Sequence, residues 1–137
     1  MFHRNSGRFR HKITLLRPSA PVRDELGGIA ATTYEAALTL FERTRNTVLV
    51  TLGADGCRVI GRKDDGSLVN ERVPGVSVLN VADTVGAGDS HIGSFIALRH
   101  LGTDLIEAVR KANRVSAAVV GCPGALLDHE AFLKLGL

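Results

Sequence analysis

The stretch Asp83-Thr84-Val85-Gly86-Ala87-Gly88-Asp89 is where this sequence could do chemistry. Glycines just before a helix let successive backbone N–H groups converge without obstruction by a Cβ. With the positive end of that helix they form a place for phosphate-like charge. A carboxylate in the first helical turn, here Asp89, then stands beside any phosphate held there. Phosphoryl transfer needs that pairing: donors for the charge on the transferred group and a base near the attacking hydroxyl. The competing reading of the same residues is a plain glycine-rich connection closed by an Asp cap.

Two familiar nucleotide motifs are absent. No G-x-x-x-x-G-K-[ST] occurs, and a G-x-G-x-x-G run starting at Gly86 would need glycine where His91 stands. Cys57 and Cys122 form no C-x-x-C pair and show no metal-ligand spacing, so they read as two reduced thiols in a cytoplasmic protein. His3, His11, His100 and His129 show no ligand spacing either and read as solvated.

The elements that must position the Asp83–Asp89 stretch alternate between strand and helix. Ala36, Ala37, Leu40 and Phe41 recur at helical spacing after Thr32 or Thr33 as N-cap, and that helix should end near Arg45-Asn46. Thr47–Leu52 is a continuous β-branched and apolar run, suited to a strand covered on both faces, closed by the turn Gly53–Gly56. Cys57–Arg62 and Leu68–Val73 flank Asp65-Gly66 and predict an antiparallel hairpin. Val76–Val81 is a further strand-like segment. A helix with Ile92, Phe95 and Ile96 on one face follows the glycine turn and stops near Gly102. Thr103 is the expected N-cap of the next helix, whose apolar face is Leu105, Val109, Ala112, Val115 and Val119. Gly121 ends it, and a short helix around His129–Leu135 closes the chain. The class is α/β.

Composition sets the outer bounds. The chain has 137 residues, 45% hydrophobic and 23% charged, ordinary for a soluble globular domain. No apolar run reaches the roughly 18 to 20 residues of a membrane span, and the first residues lack the apolar core of a secretory signal. The net charge of +3 divides unevenly. Residues 1–23 hold six basic side chains (Arg4, Arg8, Arg10, Lys12, Arg17 and Arg23) and no acidic one, leaving 11 Lys and Arg against 14 Asp and Glu elsewhere. That is a basic leader on a mildly acidic body, which is not the profile of a uniformly basic nucleic-acid binder. A nucleic-acid arm at 1–23 is the weakest of the available readings, because short basic tails are usually solvated.

DTVGAGDSHIGSFIA, from Asp83 to Ala97, is similar to the second signature of the PfkB (ribokinase-like) carbohydrate kinases, and TLGADG, Thr51 to Gly56, resembles their nucleotide-binding turn. The order of strand, TLGADG, hairpin, strand, DTVGAGD and helix matches as well, from about Thr33 to the C-terminus. The resemblance implies the C-terminal part of a ribokinase-like three-layer α/β/α fold, with residues 1–32 a basic leader in loop or disordered form and 33–137 the nucleotide-binding part.

By position, the resemblance makes Asp89 the general base for a sugar hydroxyl and the amides of Gly86, Ala87 and Gly88 an anion hole. Thr51, Leu52, Gly53, Ala54, Asp55 and Gly56 would lie along ATP with its Mg2+, and Asn113 on the adenine side. A monovalent cation such as K+ would use Asp83, backbone carbonyls of Val85, Val119, Cys122 and Gly124, and Asp128. As plain structure, Asp83 reads as a strand-end turn former, Asn113 as a solvent-facing helix residue and Asp128 as a surface acid or helix cap.

Two departures stand out. His91 and Ser94 replace residues that are usually apolar or small, and His91 is expected as a tolerated replacement on the helix surface. Full PfkB kinases are also considerably longer. Their sugar-binding residues, lid strands and Asn-x-x-Glu motif have no counterpart here, since Thr32-Thr-Tyr-Glu35 has only the Glu. The implied function is ATP-dependent phosphorylation of a sugar, related alcohol or nucleoside, with a truncated or frameshifted start and weak or no activity alone. The alternative is a non-catalytic nucleotide-binding or interaction module derived from such a kinase.

Overall fold

The computed structural model describes residues 13–16, 26–124 and 126–137, with side chains from Tyr34 onward. The order is β1 (Ile13–Leu16), α1 (Leu26–Thr44), β2 (Thr47–Thr51), β3 (Cys57–Arg62), β4 (Leu68–Val73), α2 (Ala87–His100), α3 (Leu105–Val120) and α4 (His129–Leu133). The sheet runs β1-β2-β3-β4, with β1 and β2 parallel and the other neighbours antiparallel.

Strand alternation explains the layering. Val48 and Val50 face one side with Ile60 and pack under Ala37 and Phe41 of α1. Leu49 faces the other side with Cys57, Val59, Val69 and Val73, against Phe95 and Leu98 of α2 and Leu105, Val109 and Ala112 of α3. A helix layer on each face of the sheet makes three layers, as the apolar run at Thr47–Leu52 predicts. All five residues assigned to the apolar face of α3 are buried.

The hairpin forms at the expected residues. Gly66 takes φ +86°, and its N–H donates to the Lys63 carbonyl at 2.9 Å. The Ser67 hydroxyl and amide both donate to Asp65 Oδ1, at 2.5 and 2.8 Å, and these bonds pull the Asp65 carboxyl below its ordinary value. At the far end of the hairpin loop, Arg99 of α2 is buried and its guanidinium donates to Asp64 (2.7 Å) and to the Thr103 carbonyl (2.6 Å). The loop is thereby tied to the end of α2.

Four expectations are corrected. Residues 13–16 are a strand rather than loop, because β2 offers a parallel edge for them to pair with. Helix α1 begins at Leu26 rather than Thr33, carrying Gly27 and Gly28 despite a helix cost of about 1 kcal/mol each. The remaining residues of the basic leader, 1–12 and 17–25, lie outside the described residues.

Val76–Val81 forms no strand. Its end is drawn to α3 instead, where the amides of Ala82 and Asp83 donate to the Val120 carbonyl (2.9 and 3.2 Å), and Val76, Leu79 and Val81 are exposed. The N-cap of α3 is Asp104, whose carboxylate accepts from Ile106 N at 3.1 Å. Thr103 is taken up in closing α2, donating its N–H to the Leu98 carbonyl at 2.9 Å. Among the described residues, no helix is long and apolar enough to cross a membrane.

Burial pushes the Cys57 thiol from its ordinary 9.0 up to about 12, against a small opposing contribution from the backbone at Val50. Between those values the unfolded chain releases the proton and the folded chain keeps it, so stability falls as pH rises. Urea unfolding of the native protein should lose about 1 kcal/mol between pH 9 and 10 that a Cys57→Ala variant does not lose. Parallel pH profiles for the two proteins would contradict it.

Candidate active site

The Gly86-Ala87-Gly88-Asp89 run folds as a helix start. Gly86 is the N-cap of α2 at φ +78°, ψ −8°, a left-handed conformation that costs a residue with a Cβ about 1–2 kcal/mol. The Ser90 amide donates to the Gly86 carbonyl at 2.8 Å and opens the helical ladder. The amides of Gly88 and Asp89 therefore precede the ladder, at the positive end of a 14-residue helix. Asp89 is in this first turn and exposed. A cradle of backbone donors and an accessible carboxylate thus share one helix terminus.

The turn after β2 is a single 3-10 turn at Gly53–Asp55. Leu52 N donates to the Gly56 carbonyl at 2.8 Å, and Gly56 N to the Gly53 carbonyl at 3.1 Å. Gly56 sits at φ +93°, ψ −133°, and a Cβ there would lie 2.1 Å from the Val73 carbonyl oxygen. A Cβ on Gly75 would lie 2.2 Å from the Ala54 carbonyl oxygen. Turn and post-β4 segment are in backbone contact, and only glycine permits it. Arg72 adds an exposed clamp, donating to the Asp55 carbonyl at 3.3 Å and pairing with its carboxylate at 3.4 Å. Arg72 and Gly75 belong to this turn's support, and nothing short of the close approach itself would single them out in the sequence.

Asn113 does not face solvent. It is buried, its Oδ1 meets His91 Nε2 at 2.9 Å, and its Nδ2 donates to the carbonyls of Pro74 (2.9 Å) and Val73 (3.4 Å). Those bonds correct the solvent-facing reading of Asn113. His91 is likewise corrected from surface to interior, at 4% exposure. Its i, i+4 relation to Phe95 puts it on the buried face of α2, a spacing that was available in the sequence.

The residues implied for a monovalent cation are partly brought together. The Ala82 and Asp83 amides on Val120 O place the Asp83–Val85 stretch beside the end of α3, next to Val119 and Cys122. Asp83 Oδ1 accepts from Val85 N at 2.9 Å, the turn-forming role, and the Val119 carbonyl already accepts from Cys122 N at 3.1 Å. Asp128 caps α4, accepting from Ala131 N at 2.7 Å. Among the described residues, no group of three or more His, Cys, Asp or Glu could hold a metal ion.

The model of the pfkB family carbohydrate kinases matches residues 9–131. The chain belongs to that family. The match starts upstream of Thr33 and takes in β1 and the whole of α1. Mouse ribokinase is 34% identical over 95 residues, which is 68% of this chain and 28% of the mouse protein. The 1-phosphofructokinase of Haloferax volcanii is 36% identical over 111 residues, 76% of this chain and 34% of that one. Arabidopsis thaliana ribokinase, solved with ribose and ATP, superposes with a TM-score of 0.64 at 22% identity, over 89% of this chain and 40% of that one. The fold is ribokinase-like, and the chain spans about a third of the length of the curated relatives it matches.

A Gly56→Ala variant of this pfkB-family chain should be destabilised by at least about 2 kcal/mol in urea unfolding, from strain and backbone clash together. Gly66→Ala is the matched comparison, at φ +86° with nothing within 4 Å of its Cβ, and should cost only about 1–2 kcal/mol. Equal losses would show that the contact with Val73 is not what demands glycine.

Proposed function

We propose that this chain carries the nucleotide-binding and proton-abstracting part of an ATP-dependent kinase of a sugar, related alcohol or nucleoside. The observation that carries the reading is the shared terminus of α2, where Gly86 turns left-handed ahead of the first helical amides and Asp89 stands in the first turn. ATP, bound with its Mg2+, supplies the phosphoryl group. The amides of Gly86, Ala87 and Gly88 hold negative charge on that group with fixed donors, the Ala87 N–H turning to it from its long 3.4 Å contact with the Thr84 carbonyl. Asp89 takes the proton of the attacking hydroxyl. Thr51 to Gly56 lie along the nucleotide, their shape set by the close backbone contact with Gly75.

The donor chemistry beside the end of α3 suits a monovalent cation, with Asp83 and the carbonyls of Val85, Cys122 and Gly124 as its oxygens; Asp128 is left out because it caps α4. Magnesium belongs to the triphosphate in this reading rather than to a cage of protein carboxylates.

A second reading is a nucleotide-binding module without turnover of its own. Positioning two reactants contributes about 7–11 kcal/mol to lowering a barrier, and the residues that would hold the acceptor are not among those assigned here.

Titration of the purified chain with MgATP should show binding that Asp89→Asn retains and Gly86→Ala weakens about tenfold, through strain in the cradle. No binding at millimolar MgATP overturns the reading. ADP release that depends on an added sugar and disappears in Asp89→Asn selects the kinase over the module.

A further inference from the structure

We propose that the buried His91–Asn113 hydrogen bond is a positioning pair that fixes the start of α2 relative to the Thr51–Gly56 turn. The inference deepens the function proposed above and rests on it for its purpose, but the coupling itself is a property of the chain alone.

Three contacts in series carry it. His91 Nε2 lies 2.9 Å from Asn113 Oδ1, and an amide oxygen only accepts, so Nε2 bears the hydrogen. Asn113 Nδ2 donates to the Pro74 carbonyl at 2.9 Å. The next residue, Gly75, is in backbone contact with Ala54 and Gly56 of the turn. His91 is two residues beyond Asp89 on the same helix, so a change at the turn reaches the helix that bears the carboxylate through packed groups alone. Both side chains are about 5% exposed or less, where a broken bond strands a polar atom away from water. Their part is to hold one site element in register with another.

The test is amide hydrogen exchange on the full chain, read at Ser90 for the start of α2 and at Leu52 and Gly56 for the turn. His91→Phe keeps an apolar ring in the space and removes the donor. It should speed exchange about tenfold at all three amides while the β2–β3 ladder keeps its protection. His91→Gln, whose amide restores a donor, should recover most of that protection. Gly75→Ala disturbs the chain from the opposite end and should speed exchange at Ser90 and shift the His91 ring resonances, since coupling is reciprocal.

Several results overturn the proposal. His91→Phe could change Ser90 alone or nothing at all. Gly75→Ala could disturb the turn and leave Ser90 and the His91 ring untouched. Protection could be lost evenly across the core, or neither variant could fold, in which case the pair supports the core rather than the two loops. A parallel MgATP titration of the unsubstituted chain judges the proposed function separately. Absent binding with intact coupling removes only the kinase reading, and binding without coupling removes only this one.

Discussion

The backbone contact between the Gly53–Gly56 turn and the Val73–Gly75 segment is the constraint on which the rest of this structure depends. A Cβ at either Gly56 or Gly75 would approach a backbone oxygen to little more than 2 Å, so two glycines let the end of β2 and the end of β4 pass against each other. Those strands flank β3 in the sheet, and the contact joins the end of β2 to the end of β4 across it. The chain leaving Val73 is then steered away from the sheet, and it cannot become a fifth strand beside β4. It travels to the end of α3, where Val120 receives two of its amides, and only then turns into the glycine cradle ahead of α2.

Layer packing supplies the reference frame for that path. β2 is buried on both faces because consecutive residues serve different cores, Val48 and Val50 under α1 and Leu49 under α2 and α3. A strand held from both sides cannot slip by one residue without exchanging its faces, so the register of the following turn is set by packing. Helix α3 then acts as the spine of the other layer, contacting α2 along its length and reaching β3 and β4. Asn113 sits where that spine meets the chain after β4, which is why one amide can reach both Pro74 and His91.

Much of this was legible in the residues, and the parts that were not share a physical cause. The hairpin follows from Asp65-Gly66 between two alternating runs, a local signal, and it forms at the residues expected. The glycine cradle is local too, since Gly86 carries its left-handed φ in its identity. Strand β1 was not legible, because four residues hold no usable period and the bonds that make them a strand come from β2. Val76–Val81 failed in the opposite sense, a strand-like composition with no neighbour to pair with among the described residues. The N-cap moved from Thr103 to Asp104 because a buried arginine had already claimed Thr103's carbonyl. His91 was misplaced by reading its polarity before its spacing. Its i, i+4 relation to Phe95 outweighs an imidazole's preference for water once Asn113 offers a partner.

The chemistry assigned to the α2 terminus divides into a part this chain holds in itself and a part that depends on what it meets. Backbone amides at a helix start cannot rotate away, so the cradle keeps its charge preference with or without a ligand. Asp89 is different, because an exposed carboxylate can take a proton from a hydroxyl only when that hydroxyl is held against it and solvent is excluded. In the proposed function, anion recognition at Gly86–Gly88 rests on backbone donors alone, while proton transfer at Asp89 needs a second surface to close over the acceptor. Under that proposal the two abilities are physically separable, because fixed backbone donors can hold an anion whether or not a proton is taken from an acceptor.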